Sequence, residues 1–309
     1  MKTKQLTFVL ASALLFGAPQ AQALLITAEA ITQIGTAPPL SDTASGSGSP
    51  PVEATSYSSD GIFDSWATTA GDDTGWMYAQ SVGSGFFQAS TTLKQSETFT
   101  NTLPVPALYT FDFNIAPGSL LVNNWDPLLP GEIVWSGYSA SILVNGTALW
   151  TSAAELLMDD AGVTFNSTGE VLGSYTPGSV EYSWSDYSDT LFLGVFAPGE
   201  SLTVDYLIQT FAIGTTDIAS NCGLAMENGF EGGDFVNEDG GAFTCGNGFA
   251  GAWFGDPTGI NVMPINNSTV TATPVPVSEP ATALLMLAGL AGAGMLRRRK
   301  GHEHETMKA

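Results

Sequence analysis

The sequence predicts an all-β fold, a jelly-roll-like antiparallel β-sandwich that occupies residues 24–263. Short segments rich in Val, Ile, Thr, Tyr, Phe and Trp alternate with clusters of Gly, Pro, Asn, Asp and Ser. Apolar residues in several of these segments occupy every second position, whereas helical periodicity is scarce. The 7 Trp and 17 Phe residues supply the apolar volume for one core.

Six segments are predicted as strands because they carry this pattern most clearly. In 108–115 the aromatic and aliphatic residues recur at every second place from Tyr109, and in 201–213 the same period begins at Leu202. This alternation is typical of a strand with one buried face. The six predicted strands are 24–31, 85–93, 108–115, 139–149, 190–196 and 201–213.

Three further segments are predicted to lie outside the strands. The Ser, Gly, Pro and Thr content of 37–59 indicates a surface loop or a partly disordered stretch. Residues 153–160 have the composition of one or two helical turns, which Gly162 would end. The Thr and Pro residues of 264–277 predict an extended linker that holds the domain off a membrane.

The first 23 residues have the features of a cleavable secretory signal peptide. Lys2 and Lys4 precede an apolar stretch at 6–18, and Ala21 and Ala23 form the small-x-small pattern that signal peptidase recognises. Cleavage is therefore predicted after Ala23. An uncleaved N-terminal membrane anchor is the alternative interpretation.

Residues 278–300 combine a short motif, an apolar run and a basic cluster. Ser278, Glu279 and Pro280 precede the sixteen-residue apolar run 281–296, and four cations follow, Arg297, Arg298, Arg299 and Lys300. As a helix the run would be roughly 24 Å long, close to the hydrocarbon thickness of a bilayer. We predict one transmembrane helix with residues 301–309 in the cytoplasm, because basic clusters stay on that side. A buried core helix is the alternative.

This tail resembles the PEP-CTERM sorting domain of Gram-negative bacteria, which is also catalogued as an ice-binding-protein C-terminal domain. In that family a Pro-Glu-Pro motif precedes a transmembrane helix and an Arg-rich end. Glu279 and Pro280 match the second and third motif positions, while Ser278 replaces the first proline. The resemblance implies export, transient anchoring by the helix, processing by an exosortase, and delivery to the cell surface or extracellular matrix.

The charge distribution limits the partners that this protein can bind. Between residues 24 and 277 the chain has 27 acidic side chains and one cation, Lys94, a formal charge of −26. Such a surface cannot neutralise phosphates, so nucleic-acid binding is excluded. Solubility, cation binding or cationic partners are favoured instead.

The absence of histidine from the same region limits the catalytic chemistry. Both histidines, His302 and His304, lie in the predicted cytoplasmic tail. A Ser-His-Asp or Cys-His hydrolase would lack its base, and a His-rich zinc centre would lack its ligands. A pair of carboxylates could in principle hydrolyse glycosides, but the sequence selects no pair. We therefore predict no enzymatic activity and no required cofactor.

Two local features concern the segment around residues 222–245. Cys222 and Cys245 are the only cysteines, and an even count in an exported region predicts one disulfide, with two free thiols as the alternative. Between them, Asp234, Asn237, Glu238 and Asp239 offer oxygen ligands on a Gly-rich loop. A Ca²⁺ site and a solvated acidic loop are both compatible with that pattern.

Two functional hypotheses from different classes remain. The favoured one is an exported structural or interaction protein that binds extracellular glycans, other matrix proteins or divalent cations. The alternative is a carbohydrate-binding module or a carboxylate-dependent glycosidase. Solvent-exposed tryptophans would favour the alternative, because sugar faces stack on aromatic rings.

Overall fold

The computed structural model describes residues 20–124, 126–216, 248–255 and 268–275. Within those ranges the chain forms strands and turns and no helix, and every strand pair is antiparallel. The predicted all-β antiparallel class is confirmed. The strands are β1 (Gln20–Ile34), β2 (Leu40–Gly46), β3 (Val52–Ser59), β4 (Asp64–Gly71), β5 (Met77–Ser84), β6 (Phe86–Thr100), β7 (Ala107–Ile115), β8 (Gly118–Asn123), β9 (Val134–Val144), β10 (Thr147–Asp159), β11 (Gly162–Gly169), β12 (Glu181–Trp184), β13 (Tyr187–Phe196), β14 (Ser201–Thr215), β15 (Phe249–Phe254) and β16 (Ser268–Pro274).

The strands form three sheets. Sheet A has the order β11-β10-β9-β14-β6-β1-β2, sheet B has β12-β8-β15-β5-β4-β3, and sheet C has β13-β7-β16. Strand β7 leads almost directly into β8, and β12 leads almost directly into β13. The antiparallel pair β8–β12 of sheet B therefore continues, beyond two short bends in the chain, as the pair β7–β13 of sheet C.

Sheet A is one layer of a sandwich, and sheets B and C lie against its inner face. A hydroxyl pair between Ser81 of sheet B and Thr210 of sheet A, 2.8 Å apart, joins the layers in one half. In the other half the rings of Phe113 of sheet C and Trp150 of sheet A meet edge to face at 5.2 Å. Strict alternation along β7 and β14 sends every second side chain into the core between the layers.

The predicted loop 37–59 is wrong, because β2 and β3 occupy most of it. In β3 the residues alternate between buried and exposed, but two of the four inward residues are Ser56 and Ser58. Their hydroxyls lie 2.8 and 3.0 Å from the Thr32 hydroxyl, which compensates for their burial. Because two of the inward residues are serines, the hydrophobicity of this segment does not alternate as it does in the other strands.

The predicted strand 139–149 is also wrong, because it is a hairpin of β9 and β10. Its turn is Asn145-Gly146, with φ of 49° and 80°. An Asn-Gly pair with both φ angles positive is the preferred two-residue hairpin turn, so this signal was present in the sequence.

The predicted helical turns at 153–160 are wrong as well, since the segment belongs to β10. Strand β10 pairs with β9 on one side and with β11 on the other. Ladder hydrogen bonds on both edges and inward burial of Ala154 and Leu156 outweigh a weak local helix preference.

The predicted linker 264–277 contains β16, which pairs with β7 from Ser268 opposite Phe113 to Pro274 opposite Ala107. These 7 residues therefore form part of sheet C and not a free stalk. The folded part of the chain reaches past the predicted boundary at residue 263.

Candidate functional site

The outer face of sheet A carries two adjacent rows of side chains across five strands. Register partners in an antiparallel sheet share a face, so the pairings define these rows. The first row contains Thr92, Gln209, Ser139, Ala153 and Thr168, from β6, β14, β9, β10 and β11 in that order. The second row lies two residues away on each strand, in alternating chain directions. It contains Ser90, Phe211, Gly137, Glu155 and Asn166.

Nine of these ten residues, all except Gly137, line an open depression with a volume of about 480 Å³. Ser139 and Ala153, register partners with small side chains, lie in the middle of the rows, where longer side chains would fill the depression. The volume lies in the range of protein sites for small ligands.

Side-chain hydrogen bonds hold the polar groups of the depression in place. The Ser139 hydroxyl donates to Gln209 Oε1 at 3.2 Å, and Gln209 Nε2 donates to Thr92 Oγ1 at 3.4 Å. Asn166 Nδ2 donates to Glu155 Oε1 at 3.2 Å, which leaves the second carboxylate oxygen as an acceptor. Amide, hydroxyl and carboxylate groups are thus fixed side by side on a rigid sheet.

An aromatic ring borders these polar groups. The ring of Phe211 lies over the backbone of Gly137, where a Cβ atom would overlap it. Trp135 packs edge to face against Phe211 with ring centroids 4.8 Å apart. The depression therefore combines one oriented apolar ring with hydrogen-bonding groups.

The only Lys or Arg between residues 24 and 277, Lys94, lies on the same face as Thr92, two residues away along β6. Its Nζ is 3.2 Å from Asp205 Oδ1. Because this carboxylate neutralises the cation, Lys94 does not provide an isolated positive charge beside the depression.

Most of the residues that the sequence predicted as sites lie outside the described ranges. These are the sorting residues Ser278, Glu279, Pro280, Arg297, Arg298 and Arg299, the cysteines Cys222 and Cys245, and the calcium candidates Asp234, Asn237, Glu238 and Asp239. The disulfide and the Ca²⁺ site therefore stay predictions. Ala21 and Ala23, at the predicted signal cleavage, lie in β1 opposite Phe99 and Thr98.

Two features of the described ranges bear on metals and membranes. Those ranges contain no group of three or more His, Cys, Asp or Glu residues placed to hold a metal ion. Of the adjacent acidic residues Asp72 and Asp73, the first shapes a turn, because its Oδ1 accepts hydrogen bonds from the backbone N–H groups of Thr74 and Trp76. In the same part of the chain no helix has the length and apolar character to cross a membrane. The predicted membrane segment 281–296 lies outside it.

The six tryptophans in the described ranges do not provide the exposed platforms that the sequence suggested as a test. Trp150, Trp184 and Trp253 are buried, and Trp66, Trp76 and Trp135 are half-buried. Trp125 lies outside the described residues.

Sequence reasoning did not single out the depression, although one signal was available. The strand period in 201–213 assigns Gln209 and Phe211 to the outward face, where an aromatic ring is unusual. The residues that β6, β9, β10 and β11 contribute to the depression lie beside Gln209 and Phe211 only because of the strand order, which the local sequence does not reveal.

Comparison with known proteins identifies one segment. Residues 276–300 match the family model of the PEP-CTERM protein-sorting motif, beginning two residues before the segment predicted from the sequence. A search of curated proteins finds no match to the chain.

Proposed function

We propose that this chain, an exported protein whose PEP-CTERM motif directs exosortase sorting toward the cell surface, is a saccharide-binding protein of that surface or of the extracellular matrix. The ligand site is the depression on the outer face of sheet A. The role is structural: the sandwich attaches the protein to neutral matrix glycans after sorting.

The observation that carries this proposal is the chemistry of the depression. A saccharide presents hydroxyl groups around an apolar ring face, and it is bound by paired donors and acceptors next to an aromatic ring. Gln209, Ser139, Glu155 and Asn166 offer both donors and acceptors, and Phe211 offers the ring. Because these groups lie on paired strands, little conformational entropy is lost when a ligand binds.

The charge of the protein favours neutral glycans over acidic ones. The region 24–277 carries a formal charge of −26, and its one cation is paired with Asp205. A polyanionic chain that approaches such a surface is repelled within a Debye length of roughly 8 Å at physiological ionic strength.

The depression favours binding over hydrolysis. A carboxylate-pair mechanism requires two acids about 5–9.5 Å apart. Glu155 is the only acidic side chain among the described residues that line the depression, and it is already hydrogen-bonded to Asn166. We therefore favour a binding module and retain the glycosidase only as an outcome of the test.

A glycan array probed with the mature chain tests the proposal. We expect binding to neutral oligosaccharides that falls about five-fold in Gln209→Ala, because a net hydrogen bond contributes about 1 kcal/mol. Thr27→Ala is the matched control, since Thr27 is exposed on the same face outside the depression and should bind like the parent chain.

Two results would reject this function. One is the absence of binding to any neutral glycan, and the other is equal binding by Gln209→Ala and the parent. Release of shortened glycans that is lost in Glu155→Gln would instead support the glycosidase.

A further inference from the structure

Both chain segments that adjoin the membrane-targeting sequences leave the sandwich at the same end. At the N-terminal side, Leu24 pairs with Glu97 near the end of β6. At the C-terminal side, Pro274 pairs with Ala107, and the Val275 backbone N–H donates to the Pro106 carbonyl at 2.9 Å. Since the loop 101–106 joins β6 to β7, the two exits lie on either side of one loop.

Three of the connections at this end lie next to the two exits. The Asn101 N–H donates to the Glu200 carbonyl at 2.9 Å, and the Gly199 N–H donates back to the Asn101 carbonyl at 2.8 Å. The β9–β10 turn is attached through Asn145, whose N–H donates to the Thr203 carbonyl at 2.9 Å. We name residues 24–28, 97–107, 143–148, 195–203 and 270–275 the exit end.

The residues of the exit end are almost free of charge, although the β4–β5 turn with Asp72 and Asp73 lies beside them. The Asp73 N–H donates to the Gly48 carbonyl at 3.3 Å, and Gly48 adjoins the Ile26 side chain. Of the 27 acidic residues between positions 24 and 277, only Glu97 and Glu200 belong to the exit end, which contains no Lys or Arg. Glu97 is half-buried, and Glu200 Oε2 accepts a hydrogen bond from the Ala197 N–H at 2.8 Å. Leu25 and Val195 expose 51% and 56% of their surface there, so apolar groups are exposed around the two exits.

The connection between this end and the predicted membrane segment is short. Residues 276–280 separate Val275 from the apolar run that begins at Ala281. Even fully extended, five residues span only about 17 Å. While the sorting signal is intact, β16 therefore keeps the exit end close to the bilayer.

We infer that the exit end faces the lipid headgroups of the membrane that holds the sorting signal. Outside the exit end the described ranges contain 18 acidic residues and one cation, Lys94. Such a surface would be repelled by anionic phospholipid, whereas the exit end can approach it. In this orientation the depression on sheet A lies well away from the lipid, because Thr92 is five residues along β6 from Glu97, roughly 17 Å.

Fluorescence quenching on the full chain tests the inference. The chain, with its C-terminal segment, is reconstituted in vesicles of phosphatidylethanolamine and phosphatidylglycerol that contain a headgroup-labelled quencher lipid. A fluorescent amino acid replaces Thr102 at the exit end or, as the matched control, Ala161 in the turn at the opposite end of sheet A. We expect several-fold stronger quenching at position 102 than at position 161.

A second variant tests whether the short connection after β16 holds the exit end near the bilayer. A flexible Gly/Ser insertion after Val275 that doubles the connection should remove most of the quenching at position 102. Equal quenching at the two positions, or quenching that survives the insertion, would overturn the inference. Quenching at position 102 that appears only with co-reconstituted exosortase would assign the exit end to the peptidase and not to lipid. Saccharide binding by the same samples is a separate measurement, so failure of either idea leaves the other testable.

Discussion

The ring of Phe211 lies across Gly137 on the outer face of sheet A. The two residues are register partners on β14 and β9, and a Cβ atom at position 137 would overlap the Phe211 ring. The missing side chain at position 137 therefore sets the direction of the ring. Trp135, which lies on β9 with Gly137, packs edge to face against the Phe211 ring.

The substitution Gly137→Ala should displace this ring and weaken saccharide binding. Loss of an oriented aromatic contact corresponds to about 1 kcal/mol, or roughly five-fold in affinity. Titration calorimetry with an oligosaccharide that binds the parent chain measures the change. In a Phe211→Ala background the same substitution should have no further effect, because the ring is gone. Unchanged affinity in the single variant would separate Phe211 from the site.

Removal of one hydroxyl between the layers should destabilise the sandwich. Thr210 Oγ1 lies 2.8 Å from Ser81 Oγ and 2.7 Å from Thr91 Oγ1, and all three residues are buried. Thr210→Val leaves two buried hydroxyls without this partner, so the free energy of unfolding should fall by about 1–3 kcal/mol in urea. The triple variant Ser81→Ala, Thr91→Val, Thr210→Val should lose less than the single variant. A larger loss in the triple variant would contradict this account.

Asn101 should be among the most sensitive polar positions. It is buried, and its side chain donates to the carbonyls of Val105 and Phe196 at 3.0 and 2.8 Å while accepting from the Leu103 N–H at 3.0 Å. Asn101→Ala leaves these groups unpaired and should cost about 3 kcal/mol of unfolding free energy. Thr102→Ala, an exposed substitution in the same loop, should change it by less than about 0.5 kcal/mol. Similar losses in both variants would show that Asn101 does not organise this end.

Glu97 should make the stability depend on pH with an unusual sign for a carboxylate. It lies on the inner face of β6 between buried Gln95 and Phe99, and burial raises its pKa above the ordinary carboxyl value. The folded state then binds the proton more readily than the unfolded state, so this group lowers the stability as pH rises through the window between the two pKa values.

Glu97→Gln should therefore be more stable than the parent chain above the folded-state pKa. The difference should disappear below the unfolded carboxyl pKa of about 4.3. Urea unfolding at neutral and acidic pH measures it. A variant that is less stable than the parent at neutral pH would refute the assignment.

Local periodicity in the sequence was sufficient for the fold class but not for all strands. It located the strands with apolar inward residues, such as β7 and β14. It missed β3, where Ser56 and Ser58 point inward and pair with Thr32, since a hydroxyl pair 24 residues apart leaves no local signal. The hairpin at Asn145-Gly146 was predictable from its turn residues alone.

The candidate site was less accessible to sequence reasoning than the fold. Glu155 and Gln209 share one face only because β9 and β14 pair, and their positions in the chain give no indication of this. The charge pattern, in contrast, is local in sequence and was sufficient to predict that nucleic acids are not partners.

An NMR titration of the ¹⁵N-labelled mature chain with cellohexaose, maltohexaose and mannohexaose shows whether the depression on sheet A binds saccharides. We expect at least one of these neutral saccharides to shift the backbone amides of 90–92, 137–139 and 209–211 and the side-chain amide of Gln209. Shifts confined to other surfaces, or no shift with any of the three, would contradict the assignment of this depression as a saccharide site.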